Sequence, residues 1–179
     1  MVQSAALLFR ERGLTATGFR EVATHSGVSR GSISHHFPGG KAELVRDAVQ
    51  WSGAQVSGQL EHALQGGNPV RAVRDFIEVW RASVVESDAK AGCTVATVAT
   101  ETLDPELLAV TADIFRSWQE PLHRALHAAG VAPSRARRLA MTLIAALEGA
   151  LVLCRAERSP KPLVDVGQEL EALVIGALP

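Results

Sequence analysis

Within its first forty residues this chain is cut into short helical stretches, and the cuts leave few ways to fold. Val2, Ala5, Ala6 and Phe9 recur at the i, i+3, i+4, i+7 spacing of one apolar helix stripe, which Gly13 ends. A second helix starts near Gly18, with Phe19, Val22 and Ala23 as its apolar stripe and Glu21 at its third position, where a carboxylate reaches free amides. Ser26-Gly27-Val28-Ser29 follows. Gly27 supplies the positive φ of a tight turn, Val28 plugs the corner and Ser29 caps the next helix. That helix runs only from Arg30 to Phe37 before Pro38-Gly39-Gly40 stops it. Its strongly apolar positions are Ile33 and Phe37; Arg30, Gly31, Ser32, Ser34, His35 and His36 are small or hydrogen-bonding. A short helix held by two anchors, with a polar face that nothing needs to bury, fits entry into a DNA major groove.

The rest of the chain reads as all-α. Residues 41–62 form a long helix carrying Leu44, Val45, Ala48, Trp51 and Val56. Asn68-Pro69 caps and starts another, with Val73, Phe76, Ile77, Trp80 and Val84 at helical spacing. Asp104-Pro105 opens a third that passes Leu107, Phe115, Trp118 and Leu126, where Pro121 predicts a kink or break. Between these, residues 92–101 hold β-branched side chains that favour a strand, but a lone strand among helices has no partner, so a helix is expected. Two final helices occupy residues 134–158 and 163–178. The first is apolar nearly all round and must be buried on every side. A body this small covers one face of it, so a second copy of the chain is expected on the other.

Composition narrows the function classes. An apolar fraction of 47% supplies a core and argues against disorder. Residues 1–50 carry six basic and four acidic side chains and the remainder twelve and fifteen, a small basic head on an acidic body. Cys93 and Cys154 make no disulfide framework and no metal spacing surrounds them, so neither metal nor cofactor is expected. With no secretory pattern and no uninterrupted apolar run of membrane length, the chain reads as cytoplasmic. No phosphate loop or nucleophile elbow is present, which disfavours a small helical enzyme. The pair His123 and His127 lacks a third ligand and is expected on a solvated face.

The run from Phe9-Arg10-Glu11-Arg12-Gly13 through Phe19-Arg20-Glu21-Val22-Ala23 and Ser26-Gly27-Val28-Ser29-Arg30-Gly31-Ser32-Ile33 to His35-His36-Phe37-Pro38-Gly39-Gly40-Lys41 resembles the DNA-binding domain of the tetracycline-repressor family. The likeness covers nearly all of residues 2–49. It implies a helix-turn-helix domain over 1–49 and an effector-binding and dimerisation domain over 50–179. It further implies that Arg20 reaches a base edge or a nearby phosphate, that Arg30, Gly31, Ser32, Ser34 and His35 lie along the groove after the Ser29 cap, with Arg20 and Arg30 the candidates to grip a guanine, and that Thr17 and Lys41 hold phosphates. Ser34 stands where the family usually has tyrosine, so that contact is expected to be shorter. Gly92-Cys93-Thr94-Val95-Ala96 is similar to a Gly-Cys-Pro-Val-Ala pattern in the LmrA/YxaF-like branch, with Thr94 in place of proline. The last two helices resemble the family's dimer-forming pair, placing Leu143, Ala146, Leu147, Ala150 and Leu151 with Leu170, Leu173 and Val174 at a homodimer interface.

The implied function is a repressor that leaves operator DNA when a small apolar or aromatic compound binds. Trp51, Trp80, Phe115 and Trp118 are candidates to line the pocket, with Cys93, Thr97 and Glu101 as polar handles. The alternative on the same scaffold is a thiol sensor using Cys93 or Cys154.

Overall fold

The computed structural model describes all 179 residues, the side chain of Arg30 excepted. Among the described residues there are nine helices and no strand: α1 (Val2–Arg12), α2 (Phe19–Ser26), α3 (Arg30–His36), α4 (Gly40–Leu64), α5 (Pro69–Glu86), α6 (Thr94–Glu101), α7 (Pro105–Ala128), α8 (Pro133–Glu157) and α9 (Lys161–Ile175). They gather into two compact units. One comprises Met1–Gln55 with Gly92–Ile114, the other Val56–Ala91 with Phe115–Pro179. Residues 92–114 group with the N-terminal helices, and α4 and α7 each begin in the first unit and end in the second.

In the first unit the apolar stripe of α1 supplies the centre: Ala5, Ala6, Leu8 and Phe9 are buried with Val22 and Ala23 of α2, Ile33 of α3, and Leu44, Val45, Ala48 and Val49 of α4. The segment 92–101 joins this core as helix. Its β-branched propensity loses because helical spacing puts Val95 and Val98 together on the buried side, fully enclosed, where α6 meets α1. Two bonds fix the register: the Gly92 amide donates to Arg10 O at 2.9 Å and the Thr94 hydroxyl to Ala6 O at 3.0 Å.

In the second unit α9 packs against α5 and α8. Phe76, Trp80 and Val84 of α5, Leu139, Leu143, Leu147 and Leu151 of α8, and Leu163, Leu170 and Val174 of α9 are buried. Asn68 accepts from the amides of Val70 and Arg71 ahead of Pro69, as an N-cap must. Arg74 grips Glu171 through two nitrogens, at 2.6 and 3.0 Å, tying α5 to α9. Pro121 does not end α7. The helix runs through it, and the lost ladder bond is offset by burying Trp118, Leu122 and Leu126 around it. By length and composition α8 could cross a membrane, but here it is a core helix against α9 and α5.

Two glycines on α4 face opposite circumstances. An added Cβ at Gly53 would lie 2.7 Å from Ile114 Cγ2, whereas at Gly58 it would meet nothing. Gly58→Ala should stabilise the protein by about 0.5–1 kcal/mol through helix propensity. Gly53→Ala should instead destabilise it, since overpacking costs about 1–3 kcal/mol. Urea unfolding of the two variants checks the opposite signs.

Candidate nucleic-acid interface

The α2–turn–α3 unit is built by local chemistry. At the start of α2, Gly18 cannot cap with a side chain, and Glu21 supplies the compensation by accepting from the Gly18 amide at 3.0 Å. At its end Gly27 sits at φ 71°, ψ 17°, the left-handed conformation glycine adopts without penalty, and the Val28 amide returns to Ala23 O. Ser29 Oγ then accepts from the Ser32 amide at 3.2 Å, opening α3. Ile33 and Phe37 are both buried, four residues apart. Gly31, Ser34 and His35 are exposed and Ser32 is half-covered, so the outward face of α3 is small and polar, and Arg20, in the first turn of α2, is exposed as well. Arg30 opens this helix, and its side chain lies outside the described residues.

Of the two expected phosphate contacts, Thr17 takes another place and Lys41 is also engaged within the chain. Thr17 is buried, with its hydroxyl directed inward to Leu8 O at 3.5 Å, so its side chain has no surface to offer DNA. The Lys41 ammonium is exposed but donates to Leu14 O in the α1–α2 turn. Glu101, expected as an effector handle, accepts from the Leu14 amide at 2.8 Å and the Thr15 amide at 3.4 Å. No local pattern signals that bond, because its partners are 87 and 86 residues apart in sequence.

The seven expected pocket residues divide between the units. Trp51, Cys93, Thr97 and Glu101 belong to the first and Trp80, Phe115 and Trp118 to the second. Trp51 borders a surface groove with His36, Phe37, Asp47 and the start of α1. Cys93 is buried and Thr97 half-buried. In the second unit Trp80 and Trp118 line a cavity of about 10 Å³ with Phe76, Ile144, Leu147, Glu148 and Leu151, while Phe115 packs edge-on against Trp118. Trp80 is buried, and its indole N–H has no hydrogen-bond partner. The cavity admits no more than a single water as it stands. The pair His123 and His127 is solvated on one side only: His127 is exposed, whereas the His123 side chain is 17% exposed with a buried Nε2 that has no partner, and the two rings stack 6.4 Å apart.

Of the eight residues expected at a dimer face on α8 and α9, six are buried within the single chain: Leu143, Leu147, Ala150, Leu151, Leu170 and Val174, whereas Ala146 and Leu173 are half-buried. These side chains fill the contacts among α5, α8 and α9, which leaves another face of the same helices outside. There Met141, Val152 and Leu153 on α8 and Val164 and Ile175 on α9 stand exposed.

A glycine turn joining two short helices, the second anchored by two side chains and polar outside, defines a helix-turn-helix DNA-binding regulator. Residues 2–48 match the N-terminal domain of bacterial regulatory proteins of the tetR family, and residues 69–169 match the C-terminal domain of LmrA/YxaF-like transcriptional regulators. An HTH-type transcriptional regulator of Mycobacterium tuberculosis is 37% identical over 100% of this chain and 94% of its own length. YxaF of Bacillus subtilis is 28% identical over 97% and 93%. A TetR regulatory protein from Rhodobacter sphaeroides shares the fold, with a TM-score of 0.87 at 20% identity over 96% of this chain and 95% of its own. The chain belongs to the TetR family of transcriptional regulators, whose members here are regulators and not enzymes.

The cap on α2 is acid-sensitive. Backbone N–H groups of Glu21 itself and then of Gly18 hold the Glu21 carboxyl below its ordinary value of 4.5. A lowered folded-state pKa means the cap contributes fully above about 4.5 and is lost as pH falls through the lower, folded value. Glu21→Gln should flatten that part of the acid unfolding curve, and circular dichroism between pH 2 and 6, roughly the window of carboxylate titration, reads it.

Proposed function

We propose that this regulator is a homodimeric, cytoplasmic repressor that holds operator DNA through α3 and releases it when a small aromatic compound binds beside Trp80 and Trp118. The observation that carries DNA reading is the outward face of α3, whose exposed groups have no part in the core. Arg20 and Arg30 are the residues assigned to base edges, with Ser32, Ser34 and His35 along the groove and Lys41 at the backbone. Replacing Arg20 by alanine should cost about 1–3 kcal/mol on the preferred operator and relax selection at one base position. An equal loss on every duplex, measured by fluorescence anisotropy, would move Arg20 to the phosphate contacts.

Dimerisation is assigned to the exposed stripe of Met141, Val152 and Leu153 with Val164 and Ile175. Large apolar side chains left exposed on two adjacent helices favour a twofold, self-complementary contact. Val152→Asp should leave the helical content intact and convert dimer to monomer in sedimentation. A folded, still dimeric Val152→Asp protein refutes this face.

The effector site is supported by the aromatic and aliphatic lining and the unpartnered Trp80 N–H, which a ligand acceptor would satisfy. Glu148 is the one ionisable group in the lining and disfavours anionic compounds. Bound ligand must open the cavity and favour an arrangement in which the two heads no longer match major grooves about 34–36 Å apart. Coupling is reciprocal, so operator DNA should weaken ligand binding by the factor by which ligand weakens operator binding. Tryptophan fluorescence titrations with and without operator measure it; equal affinities with DNA bound exclude this route. The thiol-sensor alternative is disfavoured at Cys154, where burial pushes the thiol above its ordinary pKa, away from the reactive thiolate, and Cys93 is buried as well.

A further inference from the structure

Both main-chain groups of Leu14 are held by side chains of opposite charge. Its N–H donates to Glu101 Oε2 at 2.8 Å, and its carbonyl accepts from Lys41. The carboxylate also occupies the space above the preceding residue. Gly13 is buried at φ +85°, and a Cβ there would lie 2.6 Å from Glu101 Oε1. Glu101 closes α6, whose first residue and the segment just before it are already tied to α1, through Thr94 to Ala6 O and Gly92 to Arg10 O. The turn leaving α1 is therefore clamped from outside the helix-turn-helix. That turn sets where α2 begins, and α2 carries Arg20.

We propose that Glu101 is a positioning residue for operator recognition. With Lys41 it fixes the Leu14 peptide, and so the angle at which α2 presents Arg20 and supports α3. The proposal rests on the assignment of α2 and α3 to operator DNA. It makes an unusual demand on sign. Removing a negative charge from a DNA-binding unit should, by electrostatics alone, tighten binding to every duplex. Loss of the clamp should do the reverse, and only on the correct sequence, because base-edge contacts need fixed geometry while phosphate attraction tolerates displacement.

The test uses the full chain with Glu101→Ala and Glu101→Gln, the latter keeping a carbonyl acceptor without charge. Glu101→Ala should bind the selected operator about ten-fold more weakly, in line with loss of a charge-assisted hydrogen bond. Its affinity for a scrambled duplex should be unchanged or slightly higher, and Glu101→Gln should recover most of the operator loss. Amide exchange at Leu14 and Thr15 should quicken in Glu101→Ala and much less in Glu101→Gln. Operator affinity equal to or above wild type in Glu101→Ala overturns the proposal. So does equal weakening on both duplexes, or a Glu101→Gln defect as large as that of alanine. A wild-type chain that prefers no duplex sinks the operator assignment, while unchanged exchange in Glu101→Ala separately sinks the clamp.

Discussion

An isolated helix of seven residues has almost no stability of its own, because its nucleus fixes several backbone angles for very few hydrogen bonds. Helix α3 exists because three things are done for it. Ser29 satisfies an amide at its start, Ile33 and Phe37 are buried beneath it, and Gly27 turns the chain so that both anchors reach the same core. Much of the first unit serves this requirement. The α1 stripe around Phe9 provides the floor, α2 the wall on which α3 leans, and the buried face of α4 the closure. With burial of a large side chain worth about 1.5–3 kcal/mol, two anchors can hold a helix that propensity cannot.

The second unit solves a different problem. Helix α8 has apolar side chains on nearly every side, and one chain offers partners for only some of them. Leu139, Leu143, Leu147 and Leu151 turn inward against α5 and α9; Met141, Val152 and Leu153 remain outside. The inward set is the larger and better enclosed. Glu148 lies between these faces and is half-buried, bringing a carboxylate to the edge of an otherwise aromatic and aliphatic cavity.

What the sequence disclosed follows the range of the forces involved. Caps, turns and helix periods depend on neighbours within four residues, and Gly27, Ser29, Asn68 and the Glu21 cap all stand where the pattern put them. The long-range assignments fared differently. Thr17 looked like a surface hydroxyl, but the bend after Gly13 turns it inward to Leu8 O. Glu101 read as a polar handle for a ligand because nothing near it in sequence reveals the Leu14 amide. For α8, period alone shows that two faces are apolar and is silent on which one its own chain covers. His123 and His127 were legible as a pair but not as a stacked one, since ring orientation depends on packing.

The division of labour within α3 also bears on how such a protein can change over generations. Positions 27, 33 and 37 are occupied with folding, and drift there would be eliminated as loss of the protein. Gly31, Ser34 and His35 face outward and hold up no core. Substitutions among them can accumulate at little structural cost, so, on the proposed assignment of α3 to operator DNA, a duplicated copy could acquire a new binding sequence without first losing its shape. A scaffold arranged this way separates being foldable from being addressed to a particular stretch of genome, and selection can act on the second while leaving the first alone.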